Sequence, residues 1–247
     1  MKRILLLIMT AVIILVCGSC SITGSDYTAY LAAPKATGDM TEIAEAFYDF
    51  AGDNIQLSYP KRGDHLSAFV LEDIDGDGSK EAIVFYTKND VEKGVAPIHI
   101  NIVDRTQNGW ASVDDIVTVS NAVDMIAFSD VSGNGIKEIL VGMTSISKNE
   151  NQLSLYSFKN GRLSLMVQED YTDFILCNLT ENDHDDLLVV NLKTAEKEAT
   201  AKLYTVTNNE LVLNGMVNLD GNVTGYAKLQ QAKVGNKSAV YIDAYKG

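Results

Sequence analysis

Short runs in which apolar and polar residues alternate recur along this chain, separated by small polar turns. That period of two is the mark of half-buried strands. Gln152-Leu-Ser-Leu-Tyr-Ser-Phe158 and Arg162-Leu-Ser-Leu-Met-Val167 flank Asn160-Gly161, and alternation on both sides of Asn-Gly predicts a hairpin. His99–Val103 and Trp110–Val113 stand around Gln107-Asn108-Gly109 in the same way, as do Ala201–Val206 and Leu211–Leu213 around Asn208-Asn209. Only Thr41 to Ala51 carries a helical period, with Thr41 as cap and Ile43, Ala46 and Phe47 on one face. Ile55 to Tyr59, before Pro60, predicts one further strand, and the segment 36–65 reads as a flank packed on the first repeat.

Each predicted hairpin comes after a strand, an acidic or polar loop and a second strand. In the first copy Asp73-Ile-Asp75-Gly-Asp77-Gly78-Ser-Lys-Glu81 lies between Ser67–Leu71 and Ala82–Tyr86. The frame returns, progressively eroded, at Asp130–Glu138, Asn178–Asp186 and Gln231–Ala239, with intervals of 57, 48 and 53 residues between frame starts. A spacing near 50 residues predicts one four-stranded propeller blade per repeat. The expected fold class is therefore all-β: a β-propeller-like arc over residues 66–247, about three complete blades plus a partial fourth, with a short N-terminal helix. A closed ring needs about four to eight blades, so a truncated chain or an open arc is the better expectation. The strand at Ile55–Tyr59 could lend the last blade an outer strand but not a blade. Bare sheet edges would make such an arc sticky or poorly stable alone.

The first twenty residues set the compartment. Met1-Lys2-Arg3 precedes an apolar run from Ile4 to Val16, broken only by Thr10, which is short for a membrane span and suits a signal-peptide core. It ends in Cys17-Gly18-Ser19-Cys20, and the two small residues before Cys20 resemble a bacterial lipobox. Cys20 is then the expected lipidation site, a plain secretory signal being the alternative. Residues 21–35 read as a tether. Diacylation would give stable anchoring, placing the protein on the extracytoplasmic face of the cell membrane.

Formal net charge is −13, and −15 without Lys2 and Arg3. Such an excess disfavours nucleic acid and anionic headgroups and favours cations or basic partners. Cys177 is the one cysteine beyond the lipobox pair. It reads as a small buried residue in the strand Phe174–Cys177, so no disulfide framework is expected.

The loop at 73–81 resembles the FG-GAP repeats of integrin-type propellers, which carry Asp-x-Asp-x-Asp-Gly-x-x-Asp loops between two blade strands. Asp73, Asp75, Asp77, Gly78 and Glu81 fall on that pattern, with Glu in place of the final Asp. The likeness is specific in the first copy and fades toward the last. Ala33-Pro34 with Gly38, and Tyr59-Pro60 with Gly63-Asp64, further resemble the front of a group of uncharacterised bacterial lipoproteins. The resemblance implies a blade fold and bound Ca²⁺. The residues support the ion independently: calcium takes six to eight oxygens in irregular geometry, and alternation lets Asp73, Asp75 and Asp77 converge while Glu81 closes the site. Asp-Gly-Asp-Gly also makes a good metal-free turn, but the alternating carboxylates with a spaced Glu favour metal. Asp130, Ser132, Asn134 and Glu138 form a weaker set, for which a capped turn is the better reading. The third loop keeps fewer suitable oxygens, and the fourth, with Lys233 and Ala239 at ligand positions, should bind no cation.

Catalytic chemistry has little support. His65, His99 and His184 lie near no nucleophile frame, and Glu81 and Glu138 occupy repeat positions. Tyr86, Trp110, Tyr156 and Tyr204 would make a sugar platform only if they do not pack between blades. The expectation is a non-enzymatic binding or scaffold module with calcium as its cofactor. An envelope protein or glycan is the candidate ligand, and an envelope polysaccharide-binding accessory protein or a degenerate propeller hydrolase the alternative.

Overall fold

The computed structural model describes residues 39–89, 96–146, 151–208 and 210–246. The expected signal peptide (1–20), Cys20 and the tether (21–35) lie outside them. Thr41–Gly247 is one compact unit. Its described residues form three antiparallel sheets four strands wide, then a two-stranded hairpin. No helix among the described residues is long and apolar enough to cross a membrane.

Helix α1 (Asp39–Ala51) buries Ile43 and Phe47. Phe47 meets Phe69 and Tyr86 edge-on, at centroid distances of 5.5 and 5.2 Å, so the helix packs on the first sheet. That sheet holds β1 (Ile55–Leu57), β2 (Phe69–Glu72), β3 (Glu81–Lys88), β4 (His99–Thr106) and β5 (Gly109–Val117). The strand expected at Ile55–Tyr59 does not join the last blade. Instead, β1 pairs with Tyr86–Lys88 at one end of β3, while β2 pairs with Glu81–Val84 at the other. Pro60 cannot donate to a ladder, and the inner strand of this sheet is accordingly split in two.

The second sheet runs β6 (Ser120–Ser129), β7 (Glu138–Ser145), β8 (Asn151–Lys159) and β9 (Arg162–Asp170). The third runs β10 (Asp173–Cys177), β11 (Asp186–Asn191), β12 (Thr200–Thr207) and β13 (Glu210–Asn218). The fourth is only β14 (Val223–Val234) with β15 (Lys237–Lys246). The repeat extends to backbone detail. The third and fourth strands of each complete sheet shift register by a bulge at the same place, between Ile102/Val103, Leu155/Tyr156 and Leu203/Tyr204. Asn160 and Gly161 are both left-handed, with φ of 54° and 71°, as a type I′ hairpin turn requires.

Among the described residues, apolar cores join the sheets in sequence. One packs Ile83, Phe85 and Ile100 against Ile126, Ile139 and Val141. The next packs Leu140 and Leu155 against Leu187 and Val189, and the last packs Val190 and Ala201 against Leu229 and Ile242. Second strands are therefore buried along nearly their whole length, because β7 and β11 have a sheet on each face and β3 lies between the second sheet and α1. Tyr86, Tyr156 and Tyr204 are buried and form no sugar platform. Cys177 is buried too, and burial, with Asp186 and Asp185 beside it, pushes its thiol up to about 12.

Candidate metal centre

Three equivalent loops join the first and second strands of the complete sheets, at 73–80, 130–137 and 178–185. They stack on one another through small residues. At Gly76 (φ +79°) a Cβ would lie 3.1 Å from Ile136 Cγ1, and at Gly133 (φ +71°) one would lie 2.8 Å from His184 Nδ1. The fourth position of the first and second loops, a glycine in both, thus receives the seventh residue of the next loop, and φ in this region favours glycine on its own account. A second cross-link also joins neighbouring blades. Lys137 Nζ reaches Glu72 Oε1 at 2.5 Å, and Ser129 Oγ donates to Asp185 Oδ2 at 2.5 Å.

Each loop closes on a carboxylate that begins the second strand, and all three are buried: Glu81, Glu138 and Asp186. In the second loop Glu138 is saturated. Val131 and Ser132 N–H donate to Oε2 at 2.8 and 3.0 Å, and the Ser132 hydroxyl donates to Oε1 at 2.6 Å. In the third, Leu179 and Thr180 N–H donate to Asp186 Oδ2 at 2.8 Å each, and the Thr180 hydroxyl caps the carboxylate at 3.0 Å. The residue that supplies the hydroxyl is Ser132 in one loop and Thr180 in the other. In the first loop that position is Asp75.

The consequence is electrostatic. Glu81 Oε2 accepts from Ile74 N–H at 2.9 Å, but Oε1 has no partner although Glu81 is fully buried. Asp73, Asp75 and Glu81 place one oxygen each within 4.8 Å of one another. Burial, with the charges of Asp75, Asp104 and Asp73, raises the Glu81 carboxyl to about 7. An unpaired buried carboxylate costs several kcal/mol, so the pocket calls for a proton or a cation. The other lone pairs hold the loop in shape: Asp73 accepts from Gly76 and Gly78 N–H, and Asp75 from Asp77 N–H.

Of the four residues expected at this site, the structure brings together Asp73, Asp75 and Glu81. Asp77 is exposed, and its Oδ1 accepts from Ser79 N–H at 2.6 Å. The second set, Asp130, Ser132, Asn134 and Glu138, shares one loop, but its oxygens are engaged internally. Asp130 takes N–H bonds from Gly133, Asn134 and Gly135, and Asn134 Oδ1 takes one from Ile136. This is the capped turn. Asp104, on β4, is the residue that sequence reasoning missed; its carboxyl is raised by burial and by Asp75 and Asp77. It lies in an ordinary strand pattern, and only the register brings it to the loop.

At the opposite end of the blades a cleft of about 580 Å³ opens between the second and third sheets, lined by Asn151, Glu169, Tyr171, Asn191, Lys197 and Lys202 among others. Its charges are paired, Lys202 with Glu169 at 2.6 Å and Lys197 with Asp170.

No protein-family model and no curated protein sequence matches the chain. Among solved structures it is similar to the exotype rhamnogalacturonan lyase YesX, at 13% identity and a TM-score of 0.45, over 77% of this chain and 42% of that one. It is also similar to the Bacillus licheniformis rhamnogalacturonan lyase PL11, at 9% identity and a TM-score of 0.38, over 78% and 47%. The chain spans less than half the length of either lyase.

Proposed function

We propose that this protein is a non-enzymatic binding or scaffold module, a propeller-like arc whose first blade is stiffened by one Ca²⁺. It would be held on the extracytoplasmic membrane face by a lipid on Cys20. The observation that supports the ion is the buried, unpartnered Glu81 oxygen beside Asp73 and Asp75. Three carboxylates around a backbone-rich loop suit a hard cation with oxygen ligands, and the FG-GAP resemblance agrees. Calorimetric titration with Ca²⁺ should give one site, with a dissociation constant of about 10⁻⁴ to 10⁻³ M as in extracellular modules. Asp75→Ala should abolish the heat; equal heats from both proteins would reduce the pocket to a turn.

The cleft between the second and third sheets supports a glycan as the bound partner, since its mainly apolar lining carries polar side chains such as Asn151, Asn191 and Thr200, and hydroxyl-rich ligands use a few placed polar groups beside an apolar surface. A glycan array tests this against protein recognition. Turnover of any polysaccharide would revive the hydrolase alternative. Radiolabelled palmitate, incorporated by the wild type and lost in Cys20→Ala, tests the anchor.

A further inference from the structure

The cation pocket is built by more than its loop. Glu72 on β2 pairs directly with Glu81 on β3. Val103 on β4 pairs with Ala82, so Asp104, the next residue of β4, falls beside Glu81 on its other side. Side chains in such a row share one face of the sheet. Three acidic residues, Glu72, Glu81 and Asp104, therefore stand abreast across three strands.

The other sheets do not repeat this. In the second the row is Ser129, Glu138 and Ser157; in the third it is Cys177, Asp186 and Thr205. Each of those closing carboxylates has neutral neighbours on both sides and is saturated by its own loop. Like charges directly opposite are destabilising, so the row in the first sheet needs positive charge. Lys137 supplies it for Glu72, at 2.5 Å. Asp104 has no basic partner among the described residues: the one hydrogen bond it accepts comes from Arg105 N–H, and the Arg105 guanidinium lies over the Trp110 ring, 5.9 Å from its centroid.

The geometry points to Asp104 as a further carboxylate of the cation site, which supplies negative charge from strand β4 and so raises the affinity of a pocket whose inner oxygens come from Asp73, Asp75 and Glu81. This rests on the reading of the pocket as a cation site. The unpartnered Glu81 oxygen is the independent sign that the row faces an ion rather than a closed turn. Affinity in calcium sites rises with the count of charged groups around the ion.

Titration with Ca²⁺ alone, and melting in chelator, test the assignment on Asp104→Asn, Asp104→Glu and, as a control for net charge, Glu210→Gln on β13. Asp104→Asn should weaken calcium binding about tenfold, as loss of an outer group around a metal does. It should also raise the melting temperature in chelator, because a repulsion is removed. A merely structural residue would lower both. Asp104→Glu should keep the wild-type affinity, and Glu210→Gln should change neither quantity. A dissociation constant for Asp104→Asn within about twofold of the wild type overturns the assignment and leaves the three-carboxylate pocket standing. Absence of calcium binding to the wild type removes the pocket reading itself.

Discussion

Raising the pH in the presence of chelator should destabilise this protein through Glu81. Its carboxyl lies at about 7 in the folded chain against an ordinary 4.5, because burial and the neighbouring acids disfavour the ionised form. Between those values the folded state holds a proton that the unfolded state has released. Stability is then fully present below about 4.5 and is lost as pH rises to about 7. The gap between those two values, at about 1.36 kcal/mol per tenfold change in proton affinity, sets a ceiling near 3 kcal/mol. Gly76, Asp77 and Gly78 are exposed, so water reaches the loop and screens the charges. The loss expected is about 1–2 kcal/mol, or about 2–8 °C in melting temperature for a domain of this size. Calcium reverses the sign of the problem, since the cation favours the carboxylate. At about 10 mM Ca²⁺ and a dissociation constant of 10⁻⁴–10⁻³ M the gain is about 1.4–2.7 kcal/mol. Thermal melts of wild type and Glu81→Gln from pH 5 to 8, each with chelator and with calcium, isolate this residue from other titrating groups. The wild type in chelator should lose stability over that range, and Glu81→Gln should lose less and ignore calcium. Identical pH profiles for the two proteins in chelator would refute the reasoning.

Ser132→Asp should copy the chemistry of the first loop into the second: the variant melts lower in chelator, regains stability with calcium, and shows a second, weaker site by calorimetry. Gly133→Ala combines a left-handed backbone with a clash on the His184 ring and should cost about 1–3 kcal/mol by denaturant titration. Gly135→Ala, with the same handedness but open space around it, should cost the smaller part of that range. The Cys177 thiol, buried with its proton held up to about 12, should resist alkylation at pH 8 in the native state and react at once in denaturant.

The fold was largely legible because alternation, Asn-Gly turns and a repeat near 50 residues are all local signals. The bulge recurring before Val103, Tyr156 and Tyr204 left none, as a one-residue register shift alters no apolar pattern. The split of β1 from β2 was half visible in Pro60. Its sheet was not, because pairing partners are a long-range property. At the site, the spacing of Asp73, Asp75 and Glu81 identified the pocket, whereas Asp77 carries the same spacing yet turns to solvent. Asp104 carries no motif at all. It stands 23 residues after Glu81 and meets it only through strand register, which composition and loop spacing do not encode.

The three loops solve one physical problem in two ways. Each starts its second strand with a carboxylate that the neighbouring blade buries, and such a group must be given hydrogen bonds or charge. Ser132 and Thr180 answer with a hydroxyl from the third loop position, so those blades are complete without any ligand. Asp75 at that position adds a charge where the others add a donor, and the flanking row adds Asp104. On the proposed reading, a blade made this way should hold together best with a cation bound. The acidic spacing that fades along the chain is, on that reading, a change of counter-partner, from cation to hydroxyl, with the same backbone turn beneath it. Dependence on calcium would then be confined, on the proposed reading, to the blade against which α1 packs through Phe47, so loss of the ion should loosen the helix-bearing end first and leave the second and third sheets intact. Hydrogen exchange in chelator should show this as faster exchange in β2, β3 and α1, with β7 and β11 unchanged.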